Sequence, residues 1–350
     1  MKQFNMSRLV INLKTLIYLS LLSMFIFFFI PIKNSRGNCR DNVQVVHSNQ
    51  SVKRQEQIVH PWEEELNFTE FDNNIGTPDG HYIVPNYVHF IKFGQKEFSF
   101  PQAVCVLSAL KNQKPEKLFI HTDLNGFNGK YWDVLMSVSG FKEVLVINKI
   151  KLPTEIFNQT LRKRWARYHG GDVARMQILL KYGGIYLDND SYIVRSLNDF
   201  RRFEFTVGWK PGKLMENQII LSHKNARFLK LWYESYRDNY KPNSWYFNAG
   251  QYPAKNILQK MPHLVHRVEK LFGVYNVKRK LYMKKFSEWR DYYAFHILSN
   301  RQNGLRNITE NATYPVKFNE VNILKYPVAF RSMCLAVYPF PEEIFSNIKL

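Results

Sequence analysis

Residues 165–197, WARYHGGDVARMQILLKYGGIYLDNDSYIVRSL, restrict the fold more than any other stretch of this chain. Gly170-Gly171-Asp172 predicts a helix start, with Asp172 at or near the N-cap. Val173, Met176 and Leu180 follow at helical spacing. Gly183-Gly184 ends the helix. Ile185-Tyr186-Leu187 then predicts a short apolar strand, running straight into Asp188-Asn189-Asp190. Side chains alternate along a strand, so carboxylates two apart point the same way.

The flanks extend this pattern. Tyr87 to Phe93 predicts a buried strand ending at Gly94, and Pro101 to Asn112 an amphipathic helix. Lys117-Leu-Phe-Ile-His-Thr122 and Glu143-Val-Leu-Val-Ile-Asn148 predict two more strands. Strands alternating with helical stretches imply an α/β fold on a mostly parallel sheet. Ligands of such sheets sit at the carboxyl ends of the strands.

Asp188 and Asp190 have no basic partner nearby in sequence, so they would repel one another and raise a pKa. A hard cation removes that conflict. Mg²⁺ and Mn²⁺ favour a few carboxylates completed by water and substrate phosphates. The same tripeptide also suits a plain turn after a strand. Asp172 and Arg175 stand at i and i+3 on one helix face, which also suits an intrahelical ion pair.

These residues together resemble the glycosyltransferase family with a sugar-binding region containing the DXD motif. That family includes Golgi α1,4-galactosyl- and α1,4-N-acetylglucosaminyltransferases and fungal initiating mannosyltransferases. Its pattern is met by Asp172, Arg175, Leu179, Gly183, Gly184, Tyr186, Asp188 and Asp190, with Gly171 where Ser or Ala is usual. Val84 to Gly94 is similar to the family's first strand, though its Trp is absent and Phe93 stands nearby. Glu216-Asn217-Gln218 opens a segment in which the family places an Asn against the donor sugar; Asn217 is the match. Asn248 to Ala254 resembles a Gly- and Pro-containing segment before a helix, and Phe295-His296 to Asn300 the late H-x-x-N element.

The resemblance implies a GT-A type, Rossmann-like nucleotide-sugar-binding fold and a retaining transferase. It implies Mn²⁺ or Mg²⁺ on Asp188, Asp190 and His296, with Asp188 and Asp190 as catalytic groups. Asp172, Arg175, Tyr186 and Asn217 would contact the donor. UDP-galactose or UDP-N-acetylglucosamine is the implied donor, and a glycan on lipid or protein the acceptor. A glycan-binding scaffold without turnover and a glycoside hydrolase are the alternatives. The hydrolase needs two carboxyl groups straddling the scissile bond, which the near neighbours Asp188 and Asp190 suit poorly.

Thr15 to Ile32 is an uncharged run long enough to span a bilayer. Lys2, Arg8 and Lys14 precede it, so the short N-terminus is expected in the cytosol and the rest in the lumen. No small-residue cleavage site follows, which favours an uncleaved anchor. The expected division is a tail at 1–14, an anchor at 15–32, a polar stem at 33–80 and a catalytic domain at 81–350. A type II Golgi membrane protein is the expected placement. Asn49, Asn67, Asn158, Asn307 and Asn311 begin glycosylation tripeptides. Asn189 also fits the pattern, but its place in the site should keep it bare.

The formal net charge of +20 attracts anions. Lumenal placement removes nucleic acid as a partner. The cluster Arg162-Lys-Arg-Trp-Ala-Arg167 is either a solvated face or a funnel for an anionic substrate. Cys39, Cys105 and Cys334 are too few for a disulfide scaffold. One bridge, between Cys105 and Cys334, is possible in an oxidising compartment.

Overall fold

Strands β1 (Tyr87–Ile91), β2 (Lys117–Thr122) and β3 (Leu145–Lys149) form the parallel half of a seven-stranded sheet. A computed structural model of the chain describes residues 66–274, 280–282, 286–298 and 317–347. All of these lie in one unit, Gln57–Leu350. The tail, the anchor, Cys39, Asn49, Asn307, Asn311 and most of the stem lie outside the described residues. Among the described residues no helix is long and apolar enough to cross a membrane.

Helix α1 (Phe100–Ser108) links β1 to β2, and α2 (Lys130–Ser137) precedes β3. Ser99 and Gln102 close a capping box at the start of α1. The helix expected over 101–112 is α-helical only to Ser108 and finishes as a π-helical turn, Ala109–Gln113. The hairpin β4 (Glu155–Ile156) and β5 (Gln159–Thr160) leads into α3 (Ala166–Tyr182). Asn158 sits exposed in that hairpin's turn, and Asn67 is exposed as well.

Helix α3 corrects the predicted start. It begins six residues before Asp172, and Gly170-Gly171 lies inside it. The glycine at 170 serves packing rather than termination. A Cβ there would stand 2.7 Å from the Pro153 carbonyl oxygen. The predicted end is observed, with Gly183 at φ +64 and Gly184 at φ +106. A Cβ on Gly184 would meet the Tyr87 carbonyl oxygen at 2.6 Å. The glycine therefore lets β6 (Gly184–Leu187) lie against β1.

The chain then forms β7 (Ser191–Ile193), β8 (Phe205–Gly208), β9 (Ile219–Ser222), helix α4 (Arg227–Glu234) and β10 (His266–Val268). The large sheet has the order β10-β8-β9-β6-β1-β2-β3. It is parallel except where β9 pairs with β6 and β8. A second sheet has the order β11-β12-β7, with β11 (Phe272–Gly273) and β12 (Ala294–His296).

Alternation divides the core between the two faces of the large sheet. Ile185 and Leu187 join α1 and α5 (Ala329–Val337) on one side. Tyr186 joins Val173, Met176 and Leu179 of α3 and Phe228 and Trp232 of α4 on the other. Residues expected in the stem belong to this fold. Phe68 is in the core, and the Asn73 amide donates to the fully buried Glu204 carboxylate at 3.0 Å. The described residues 66–80, expected in the stem, therefore pack as part of this fold. Cys105 and Cys334 are both buried free thiols, so the bridge considered between them is not formed.

A buried imidazole pair braces the Gly-Gly junction. His89 Nε2 lies 2.9 Å from the Gly183 carbonyl, so it carries the proton. Its Nδ1 then accepts from His121 Nε2 at 3.0 Å, and His121 Nδ1 accepts from the Asn148 amide at 2.9 Å. This chain requires both rings neutral. Burial lowers the pKa of His89 well below 6.5 and that of His121 to about 4. A depressed folded-state pKa means that only the unfolded chain takes up protons just below pH 6.5. Stability present above pH 6.5 should therefore fall by ~1.4 kcal/mol per pH unit for each ring as pH drops toward 4. Chemical denaturation at pH 7, 6 and 5 checks this. His121→Gln should flatten the slope by about one proton; an unchanged slope would contradict it.

Candidate active site

The first half of the site comes from one turn. After β6 the chain turns through Asp188-Asn189-Asp190, with the Ser191 N–H donating to the Asp188 carbonyl at 2.8 Å, and enters β7. The two carboxylates thus converge through a turn, rather than through strand alternation. Asn189 faces the sheet and donates from Nδ2 to the Ile91 carbonyl at 2.6 Å. That contact ties the turn to the carboxyl end of β1. It also engages the nitrogen that glycosylation would need.

The second half comes from far along the chain. Strand β12 pairs antiparallel with β7, with His296 opposite Ser191, and the Ile297 N–H donates to the Asp190 carbonyl at 2.8 Å. That register sets His296 Nε2 2.9 Å from Asp190 Oδ1. Asp188, Asp190 and His296 each offer a ligand atom, all within 4.8 Å of one another. Their side chains are 26%, 15% and 17% exposed, so the group opens to solvent. Two carboxylates and an imidazole are a donor set that Mn²⁺ accepts readily, with remaining positions free for water or phosphate.

Behind the turn lies a buried charge network. Arg175 on α3 pairs with Asp172 at 3.1 Å and with Asp188 at 3.3 Å. Its guanidinium also donates to the Asn217 carbonyl and covers the Tyr186 ring at 4.7 Å. The Tyr186 hydroxyl donates to Asp188 Oδ1 at 2.8 Å. The Asn217 amide donates to Asp172 Oδ1 at 3.1 Å and lies 3.4 Å from the Ala249 carbonyl. Asp188 therefore has a basic partner after all, supplied by the fold. Burial pushes the Asp172 carboxyl up, to about 7, while Arg175 and the Asn217 amide pull it down. A guanidinium stays charged throughout this range.

The structure brings all seven sequence-nominated residues into one region. Asp188, Asp190 and His296 face outward. Asp172, Arg175, Tyr186 and Asn217 are buried, and Arg175 and Tyr186 hold Asp188 from within. The sequence reading singled out Asn217 and passed over its neighbours Glu216 and Gln218, which are 4% and 6% exposed. Burial raises the Glu216 carboxyl to about 7, against the pull of Lys210 and His296. A run of polar residues directly before an apolar strand was the available signal. Arg162, Lys163, Arg164 and Arg167 are exposed, and Arg167 reaches over Gly94 at the end of β1.

Fold and site define a class of α/β protein that gathers carboxylate, imidazole and amide groups at the carboxyl edge of its sheet, where such folds bind ligands. Residues 101–206 match the family model for the glycosyltransferase sugar-binding region containing the DXD motif. This stretch is similar to that sugar-binding region, in line with the resemblance of the motif pattern.

Among curated relatives, glucan organizing enzyme 1 of Cryptococcus neoformans var. grubii is 28% identical over 173 residues, 44% of either chain. The O-glycosyltransferase braB of Annulohypoxylon truncatum is 24% identical over 127 residues, 33% of this chain and 30% of that one. The match thus spans less than half the length of these relatives. Among solved structures, the galactosyltransferase LgtC with donor and acceptor sugar analogs is 12% identical, over 75% of this chain and 100% of that chain, with a TM-score of 0.35. The bifunctional glycosyltransferase WbbM is 10% identical, over 75% of this chain and 52% of that chain, with a TM-score of 0.41.

Proposed function

We propose that this chain is a metal-dependent GT-A type glycosyltransferase that moves a sugar from a nucleotide-sugar donor to a glycan on lipid or protein. The observation that carries the reading is the gathering of Asp188, Asp190 and His296 within 4.8 Å at the end of the strand in the matched region. These three residues would hold Mn²⁺ or Mg²⁺. The ion, when bound, acts as a Lewis acid toward the leaving nucleoside diphosphate. Arg175 and the Tyr186 hydroxyl hold Asp188 in its orientation. Asp190 is positioned through the pairing of β7 with β12. The exposed basic residues 162–167 draw the anionic donor toward this edge. Retention of configuration, a UDP-galactose or UDP-N-acetylglucosamine donor and a type II Golgi location follow from the family resemblance and from the apolar run at 15–32.

The test is a nucleotide-sugar panel offered to the full chain in detergent with Mn²⁺, reading free nucleoside diphosphate. The expected outcome is release from one or two uridine diphosphate sugars, abolished by EDTA and restored by Mn²⁺. Full activity in excess EDTA would remove the metal from the reading, and release from no donor would remove the transferase.

A further inference from the structure

Two aromatic side chains stand together in solvent beside the candidate active site. Tyr168 is 59% exposed and Trp245 is 44% exposed. Their rings lie 6.3 Å apart and belong to a row, with Trp165 6.0 Å from Tyr168 and Tyr246 4.9 Å from Trp245. A single exposed apolar side chain is ordinary, whereas a contiguous exposed group rimmed by charge marks a binding surface.

The row lies at the edge where ligands enter. Helix α3 leads directly into the start of β6, so its first turn, with Tyr168, stands at the carboxyl edge beside the Asp188–Asp190 turn. Arg167 lies 3.8 Å from where a Cβ on Gly94 would stand, just past β1. On the other side the Tyr246 hydroxyl donates to the Met215 carbonyl, next to the run 216–218 that enters β9 opposite Leu187. The row is also braced. His169 accepts from the Tyr240 hydroxyl at 2.8 Å and donates to the Ser244 carbonyl at 3.2 Å, tying α3 to the segment that carries Trp245. The Arg162 guanidinium donates to Asn243 in the same seam.

Charge narrows the ligand. Segments 156–171 and 239–252, which build this rim, hold Arg162, Lys163, Arg164, Arg167 and Lys241 and no Asp or Glu. Arg164 covers the Trp165 ring at 5.0 Å and Lys241 the Phe247 ring at 4.0 Å, so cations and ring faces alternate. An aromatic face is negative and packs against the C–H face of a sugar ring. A guanidinium pairs bidentately with a carboxylate or a phosphate. The donor diphosphate has the Asp188–Asp190–His296 group and its metal for its charge, which leaves these cations for a second anion. Residues 66–80 join the domain at the opposite, amino edge of the sheet, where Asn73 meets Glu204 just before β8. The rim thus faces away from the entry of the N-terminal chain, which suits a glycan better than a bilayer. We infer that this aromatic and basic rim binds the acceptor, and that the acceptor is an acidic glycan carrying carboxylate or phosphate groups. The inference rests on the glycosyltransferase reading.

The experiment measures glycan binding to the full chain in phosphatidylcholine nanodiscs at physiological salt. Two pairs of probes differ only in charge: tetragalacturonic acid and its neutral methyl ester, and pentamannose with and without a terminal phosphate. The acidic member of one pair should bind roughly tenfold or more tighter than its neutral partner, and the pair that responds tells carboxylate from phosphate. Trp245→Ala should weaken both members of that pair by roughly tenfold while leaving UDP affinity with Mn²⁺ within about twofold. Arg164→Gln combined with Arg167→Gln should remove the preference for the acidic member, with near-native melting temperatures throughout. Equal binding within both pairs overturns the inference, and so does a wild-type preference in the arginine variant. If phosphatidylserine in the disc, and no glycan, shields the rim's arginines from trypsin, the rim docks on lipid and the inference falls. Acidic-glycan binding without nucleoside diphosphate release from any donor removes the acceptor role together with the transferase reading. Diphosphate release with unaltered glycan binding in both variants removes the rim alone.

Discussion

Asp190→Ala should lower turnover by ~10²-fold or more while leaving the fold intact. Its carboxylate is one of the three groups at the open edge and lies 2.9 Å from His296 Nε2. The substitution removes one ligand atom and the hydrogen bond that steadies His296. The backbone contacts around it survive, because the Ile297 N–H meets the Asp190 carbonyl rather than its side chain. Diphosphate release against Mn²⁺ concentration should therefore show a lower maximum and a higher metal requirement, with a near-native melting temperature. Wild-type release at wild-type Mn²⁺ would refute the assignment of Asp190. A large drop in melting temperature would make it a structural residue instead.

Arg175→Met should destabilise the protein by ~3–5 kcal/mol, the range seen when one partner of a buried ion pair is removed. The side chain is only 7% exposed and stands between two carboxylates, Asp172 and Asp188. Without the guanidinium both acids lose their cation, and Asp172 is already pushed upward by burial. Denaturant unfolding checks the magnitude. Arg175→Lys should recover only part of it, because an ammonium is a single point charge that cannot serve two carboxylates, a carbonyl and a ring face together. A loss below about 1 kcal/mol for Arg175→Met would mean that the pairs contribute no more than a surface salt bridge.

Much of the local architecture was legible in the residues. The apolar runs at 87–91, 117–122 and 185–187 marked strands because a doubly covered sheet buries both faces of each. Gly183-Gly184 marked the helix end because both glycines take positive φ. The start of α3 was misread for an instructive reason. Gly170-Gly171 looks like punctuation in sequence, yet Gly170 is there to admit the backbone of Pro153, a neighbour that only the folded chain supplies. Residues 66–80 looked like linker because their composition is polar, while Asn73 and Phe68 turn inward against the core.

The sequence by itself determined the turn that carries Asp188 and Asp190, the strand before it and the helix bearing Asp172 and Arg175. These depend on contacts within about twenty residues, where backbone preference and spacing are decisive. The tertiary structure alone decided that His296 reaches Asp190, that Arg175 relieves Asp188, and that Glu216 and Gln218 face the same edge. The first depends on the β7–β12 register across 106 residues. The second depends on how α3 packs back against the turn after β6, and the third on β9 entering the sheet antiparallel beside β6. Strand order and register are set by how the whole core closes, and no local pattern of residues encodes them.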